Sequence, residues 1–187
     1  KLHIEQLLDD VAASDSQWRI CCLRYFNPVG AHVSGLIGEA PNGIPNNLMP
    51  YITRVAKGQL PHLNVYGSDY DTPDGTGVRD YIHVMDLAEG HMQSLHYLRD
   101  NPGWVAINLG TGQGVSVLEL VQNFEQATGT SVPYQITARR AGDVATCYAT
   151  PKKAAAKLGW RAVRNLEQMC ASSWHFQQRN TDLASNT

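Results

Sequence analysis

WRICCLRYFNPVG (residues 18–30) decides the architecture. Residues 18–26 form an apolar, β-branched and aromatic run, the pattern of a strand buried on both faces. Pro28 and Gly30 predict its end. Before it, Leu2, Leu7, Leu8, Val11 and Ala12 keep helical spacing, which predicts a helix from the start of the chain to about Ala13. After it the two periods alternate. Helices are expected over residues 46–57, with Leu48, Ile52 and Val55 on one face, and over 85–98, with Leu87, His91, Leu95 and Leu98 on one side. Strands are expected over 63–66, 105–109 and 134–138. Ser116 and Glu119 are spaced as a capping box for a helix to about Ala127. Further helices are expected over 151–158 and 165–178, and residues beyond Arg179 read as a frayed polar tail. Alternation of this kind predicts an α/β fold.

Composition narrows the function classes. With 43% hydrophobic and 17% charged residues the chain is suited to a globular domain. A net charge of −2 argues against nucleic acid or an anionic membrane as a bulk electrostatic partner. No apolar run approaches the roughly 20 residues that span a bilayer, and no signal peptide is visible. Cys21, Cys22, Cys147 and Cys170 lack metal-site spacing and are expected to be reduced, mostly buried thiols in a cytoplasmic protein. Cys21 and Cys22, adjacent in a strand, should point to opposite faces. The seven histidines form no metal-ligand pattern, so no metal is expected, and His83 and His91 are expected to make local hydrogen bonds.

Three polar segments stand out: RYFNPVGAH (24–32), GIPNNLMPY (43–51) and DGTGVRDYIHVMDLA (74–88). Asn27, Asn46, Asn47, Arg79 and Asp80 lie beside Gly and Pro in turn-like contexts. Loops on a rigid scaffold are where binding residues concentrate. Arg79 and Arg140 each stand near a Gly and an acid. Either pairs with its neighbour, Asp80 or Asp143, or offers a planar fork to a phosphate. Tyr66, ending a short strand, is either a half-buried edge residue or a stacking surface. Asn46 and Asn47 are either helix caps or ligand contacts. GTGQG (110–114) lacks the G-x-G-x-x-G spacing and reads as a tight turn before a capped helix.

In these segments and in their order, the chain resembles the nucleotide-sugar epimerases of the extended short-chain dehydrogenase/reductase family, most closely those acting at C4 of UDP-hexoses. The resemblance runs from Lys1 to about Gln178. It implies the C-terminal part of an NAD(P)-binding Rossmann-type fold plus a smaller mixed α/β substrate-binding domain. Residues 1–27 would close the dinucleotide-binding domain, 28–187 would be mainly the substrate domain, and about 84–109 would return to the dinucleotide-binding sheet. Lys1 resembles the lysine of a Tyr-x-x-x-Lys pair whose Tyr would precede residue 1, so the chain is expected to lack that Tyr and the Gly-rich NAD loop. It is expected to be poorly stable and inactive alone.

The resemblance implies NAD-dependent epimerisation of UDP-glucose and UDP-galactose, in galactose metabolism, by a homodimer. Lys1 would be the catalytic lysine and bond the nicotinamide ribose, with Tyr25 and Phe26 near the nicotinamide. Arg79, Arg140 and Asn27 would bind the diphosphate, Asp143 the ribose, Tyr66 and Asn64 the uracil, and Asn47 and Leu48 the hexose. Cys147 falls where many bacterial members carry a Tyr against the sugar. A small residue there would leave room for the N-acetyl group of UDP-GlcNAc or UDP-GalNAc. The alternatives are a dehydratase, decarboxylase or glucuronate epimerase of the same family, or a non-catalytic UDP-sugar-binding module.

Overall fold

The computed structural model describes residues 1–184. In chain order the elements are α1 (Leu2–Ser14), β1 (Arg19–Tyr25), β2 (Asn27–Val29), α2 (Leu48–Ala56), β3 (Leu63–Tyr66), β4 (Val78–Arg79), β5 (Tyr81–His83), α3 (Val84–Asp100), β6 (Gly103–Leu109), β7 (Val115–Ser116), α4 (Val117–Thr128), β8 (Tyr134–Thr137), β9 (Thr146–Cys147), α5 (Lys152–Leu158) and α6 (Leu166–Ala184). The fold is mixed α/β with mostly parallel pairing. β1 runs parallel to β6, β2 to β5, β3 to β8 and β4 to β9, while β4 meets β7 antiparallel.

Two apolar cores form. Ile82 of β5, Ile107 and Leu109 of β6, Ala154 and Leu158 of α5 and Trp160 make one. Ile52 of α2, Val65 of β3, Leu120 and Phe124 of α4, and Met169 and Cys170 of α6 make the other. The Ser116–Glu119 capping box is present and starts α4. A buried ionic junction joins α3 to the segment before α6. Asp86, with no solvent exposure, accepts from Val163 N at 3.1 Å and Arg164 N at 2.9 Å, and pairs with the Arg164 guanidinium.

Several sequence expectations are corrected. β1 is only half buried, because β6 is its single partner strand among the described residues. The buried side of α3 carries Asp86, Leu87, Gly90 and Ser94, whereas Leu95 is exposed, since α3 turns its small residues to β6 and Trp160. The thiols are not mostly buried: Cys170 is buried, Cys21 and Cys22 are half-buried and Cys147 is exposed on the two-residue β9. Pro28 does not end extended structure but lies in β2. α6 continues through the expected tail to Ala184, and residues 185–187 lie outside the described residues.

His83 couples the contact between α3 and α6 to pH. It is buried at the N-cap of α3, where Nδ1 accepts from Met85 N at 3.1 Å and Nε2 lies 3.1 Å from Ser172 Oγ on α6. An accepting Nδ1 requires the neutral ring. Burial lowers its pKa, the charge of Arg164 adds to this, and Asp86 and Glu89 oppose it. The unfolded chain therefore binds this proton more readily, below its ordinary value of about 6.5. The His83 contribution is intact above that pH and is lost as pH falls through the lower folded value. Urea unfolding between pH 7 and 5 should show stability falling, and His83→Asn, which caps without titrating, should flatten that dependence.

Candidate functional site

The site grows from the short strands. Asn27, opening β2, sits opposite Tyr81 of β5, and its backbone N donates to Asp80 O at 2.9 Å. β4 lies between β7 and β9, with Arg79 opposite Cys147. The Arg79 Nη1 donates to the carbonyls of Val78 at 2.8 Å and Val144 at 2.9 Å, so the backbone aims the guanidinium. Across the cavity Tyr66 ends β3. The Arg140 guanidinium lies 4.3 Å from its ring centroid, within cation–π range, and Nε is 3.3 Å from Asp143. A second pair repeats the arrangement beside it: Arg139 stacks on Tyr70 at 4.0 Å and bonds Asp69 at 2.7 Å. The residue 139–143 turn is thereby clamped to the segment following β3. The side-chain oxygen of Asn64 accepts from Gln135 across the strand pair at 2.7 Å.

Asn27, Asn47, Leu48, Asn64, Tyr66, Arg79, Arg140 and Asp143 line one cavity of about 470 Å³, within the size range of small-molecule sites. Residues some 115 positions apart in sequence thus meet. Arg140 does pair with Asp143, as its simplest reading held. Arg79 does not pair with Asp80, whose carboxylate is turned elsewhere. Cys147 is placed beside Arg79 by strand register but outside this lining. Lys1, Tyr25 and Phe26 also stand outside it. Lys1 is the exposed N-cap residue of α1, Tyr25 directs its hydroxyl to His91 Nε2 at 2.7 Å, and Phe26 lies against Gly110. Sequence reasoning missed Tyr51, Tyr70 and Tyr81 as cavity walls. Tyr51 had a signal, since it falls one turn after Asn47 and Leu48 on α2. Burial raises the pKa of Tyr81, so that hydroxyl stays protonated.

Asp80 organises this assembly from beneath. It is fully buried. Its Oδ1 accepts from Thr111 N at 2.9 Å and Thr111 Oγ1 at 2.6 Å, and its Oδ2 from Gly112 N at 2.9 Å and Ala149 N at 3.1 Å. One carboxylate therefore ties the strand carrying Arg79 to the GTGQG turn and to the segment leaving β9. Gly110 must lack a side chain, because a Cβ there would stand 2.7 Å from Asp80 Oδ2. Among the described residues no group of three or more His, Cys, Asp or Glu is placed to hold a metal ion.

Comparison with known proteins places the chain in a family. The family model described as GDP-mannose 4,6 dehydratase matches residues 1–173. A UDP-glucose 4-epimerase of Bacillus subtilis is 58% identical over 97% of this chain and 54% of its own length. The chain thus spans about half the length of the curated relatives it matches. Among solved structures, a UDP-glucose 4-epimerase of Stenotrophomonas maltophila with bound NAD and formylated UDP-arabinopyranose superposes with a TM-score of 0.95 at 54% identity, over 98% of this chain and 55% of that one. One from Bifidobacterium longum in complex with NAD+ and UDP gives 0.93 at 54% identity, over 97% and 54%.

Asp80→Asn removes one of two accepting oxygens and turns an amide donor towards backbone N–H groups. Each buried group left unpaired costs about 1–3 kcal/mol. The variant should lose about 3 kcal/mol of unfolding free energy in urea titration.

Proposed function

We propose a function for this chain, which belongs to the GDP-mannose 4,6 dehydratase family: it forms the nucleotide-sugar-binding part of an NAD-dependent enzyme that inverts C4 of a UDP-hexose. The observation that carries this reading is the convergence of Arg79, Arg140 and Tyr66 on one cavity. Two guanidinium groups with free donors suit a diphosphate, and a tyrosine face beside them suits a base. The relatives named as UDP-glucose 4-epimerases, one of them solved with UDP, favour uridine and epimerisation over the dehydratase alternative.

In this reading Arg79, Arg140 and Asn27 bind the diphosphate, Asp143 accepts from the ribose hydroxyls, and Tyr66 with the Asn64 main chain takes the uracil. Asn47 and Leu48 border the hexose. NAD, when bound, supplies the hydride acceptor and then the donor at C4. Towards it this chain offers Lys1, Phe26 and the ring of Tyr25, whose hydroxyl is already engaged by His91. Lys1 bonds the nicotinamide ribose and, by its charge, favours the ionised form of the phenol that takes the O4 proton. We assign residues 1–27 and about 84–109 to the dinucleotide-binding domain and the rest mainly to the substrate domain. Leu87, Val105, Ile107 and Leu109 share one apolar core, which supports grouping 84–109, and that core also takes in Ile82, Ala154, Leu158 and Trp160. We further propose a cytoplasmic homodimer acting in galactose metabolism. Exposed Leu2, Ile4 and Leu7 on α1 support pairing of chains, and the four free cysteines support a reducing compartment.

Cys147 deepens the reading. It stands beside Arg79 in register though outside the cavity lining, and we propose that its small side chain leaves room for the N-acetyl group of UDP-GlcNAc and UDP-GalNAc alongside the unmodified hexoses.

Two experiments test these proposals. In calorimetric titration UDP should bind, and Arg79→Ala and Arg140→Ala should each weaken it by about tenfold or more, the worth of a charge-assisted bond. UMP should be affected less, and equal binding by all three proteins would sink the reading. In a chain extended to the relatives' full length, Cys147→Tyr should abolish turnover of UDP-GlcNAc while retaining that of UDP-glucose.

A further inference from the structure

Asn47 occupies the N-cap position of α2, with φ −85° and ψ 146°, yet makes no side-chain capping bond. Asparagine there ordinarily accepts from the second or third helical N–H. The third residue of α2 is Pro50, which has no N–H, so Met49 alone remains as a donor. Asn47 instead donates from Nδ2 to Glu39 Oε1 at 2.6 Å. A carboxylate only accepts, so the amide must face Glu39 nitrogen-first and its orientation is fixed. Asn47 lines the ligand cavity.

The partner is itself held in place. Gly38 packs on the ring of Phe176 from α6 so closely that a Cβ would stand 2.5 Å away. On the other side of Glu39, Arg54 of α2 donates from Nη2 to Pro41 O at 2.6 Å, and from Nη1 to Gly43 O. The chain on both sides of Glu39 is anchored to two different helices, and from that backbone the exposed carboxylate reaches Asn47.

We propose that Glu39 is a positioning residue that withholds Asn47 from its helix cap and presents its amide to the hexose of the ligand. The inference rests on the proposed UDP-hexose reading. The amide can serve the cavity or the cap, and Glu39 decides between them. Charge is not required of Glu39, only an accepting oxygen at that place.

The test compares UDP-glucose with UDP in calorimetric titration of the chain. Glu39→Ala should leave the UDP dissociation constant within about twofold and raise the ratio of the UDP-glucose to the UDP constant by about three- to tenfold, the worth of one hydrogen bond. Glu39→Gln, which still accepts, should restore the ratio. Asn47→Ala should raise it equally, and the double variant should raise it no further. Equal weakening of both ligands, an unchanged ratio, or failure of Glu39→Gln to rescue would overturn the proposal. A ligand-free readout separates this from failure of the functional reading. In NMR spectra Glu39→Ala should shift the Asn47 side-chain amide and the Met49 backbone N–H as the cap forms. Unmoved signals would overturn the proposal whether or not UDP binds.

Discussion

The site depends on one buried carboxylate. Asp80 accepts four hydrogen bonds from Thr111, Gly112 and Ala149. A buried ion is costly unless each lone pair finds a donor, and here backbone N–H groups supply most of them. Arg79, its neighbour, is then free for the cavity. Had Arg79 and Asp80 paired with each other, the strand would have lost both its anchor and its cation. Asp80, between β4 and β5, turns its carboxylate to Thr111, Gly112 and Ala149 while Arg79 bonds the carbonyls of Val78 and Val144.

The two ends of the cavity are built from different elements. Arg79 is aimed by two carbonyls, and Tyr66 carries Arg140 on its face. That end is built from strands and from the turn clamped by Arg139 and Tyr70. The opposite end is built from the loop before α2, with Asn47 tied through a single bond to Glu39. In the proposed reaction the nucleotide must be held while the sugar turns over, and this contrast suits both needs. Preorganised donors at the diphosphate cost nothing to arrange during turnover, whereas a sugar enclosed by few polar groups keeps rotational freedom.

Much of this was legible in sequence. Long elements announce themselves by period, as α4 did through its apolar spacing and the Ser116–Glu119 box. The residues of the cavity were legible through the family resemblance of their segments, whereas residue type alone left open ion pairing for Arg79 and Arg140, an edge position for Tyr66 and a cap for Asn47. Other features were not legible for physical reasons. β4, β5 and β9 have two or three residues each, too few to display alternation, yet they place Arg79 and Cys147. The exposure of β1 depends on how many strands flank it, which its apolar sequence does not encode. The face of α3 was misassigned because Gly90 and Ser94 line the contact, and close packing there selects for small size rather than for hydrophobicity. Asn47 holds the N-cap position without a capping bond; Pro50 removes one donor in plain sight of the sequence, while the bond to Glu39 shows only in three dimensions.

The most direct test of the account is a crystal structure of this chain grown with UDP. The diphosphate is expected between Arg79 and Arg140, the uracil against Tyr66 and the ribose beside Asp143. Density for UDP elsewhere, or a base turned away from Tyr66 with the phosphates remote from both arginines, would contradict it.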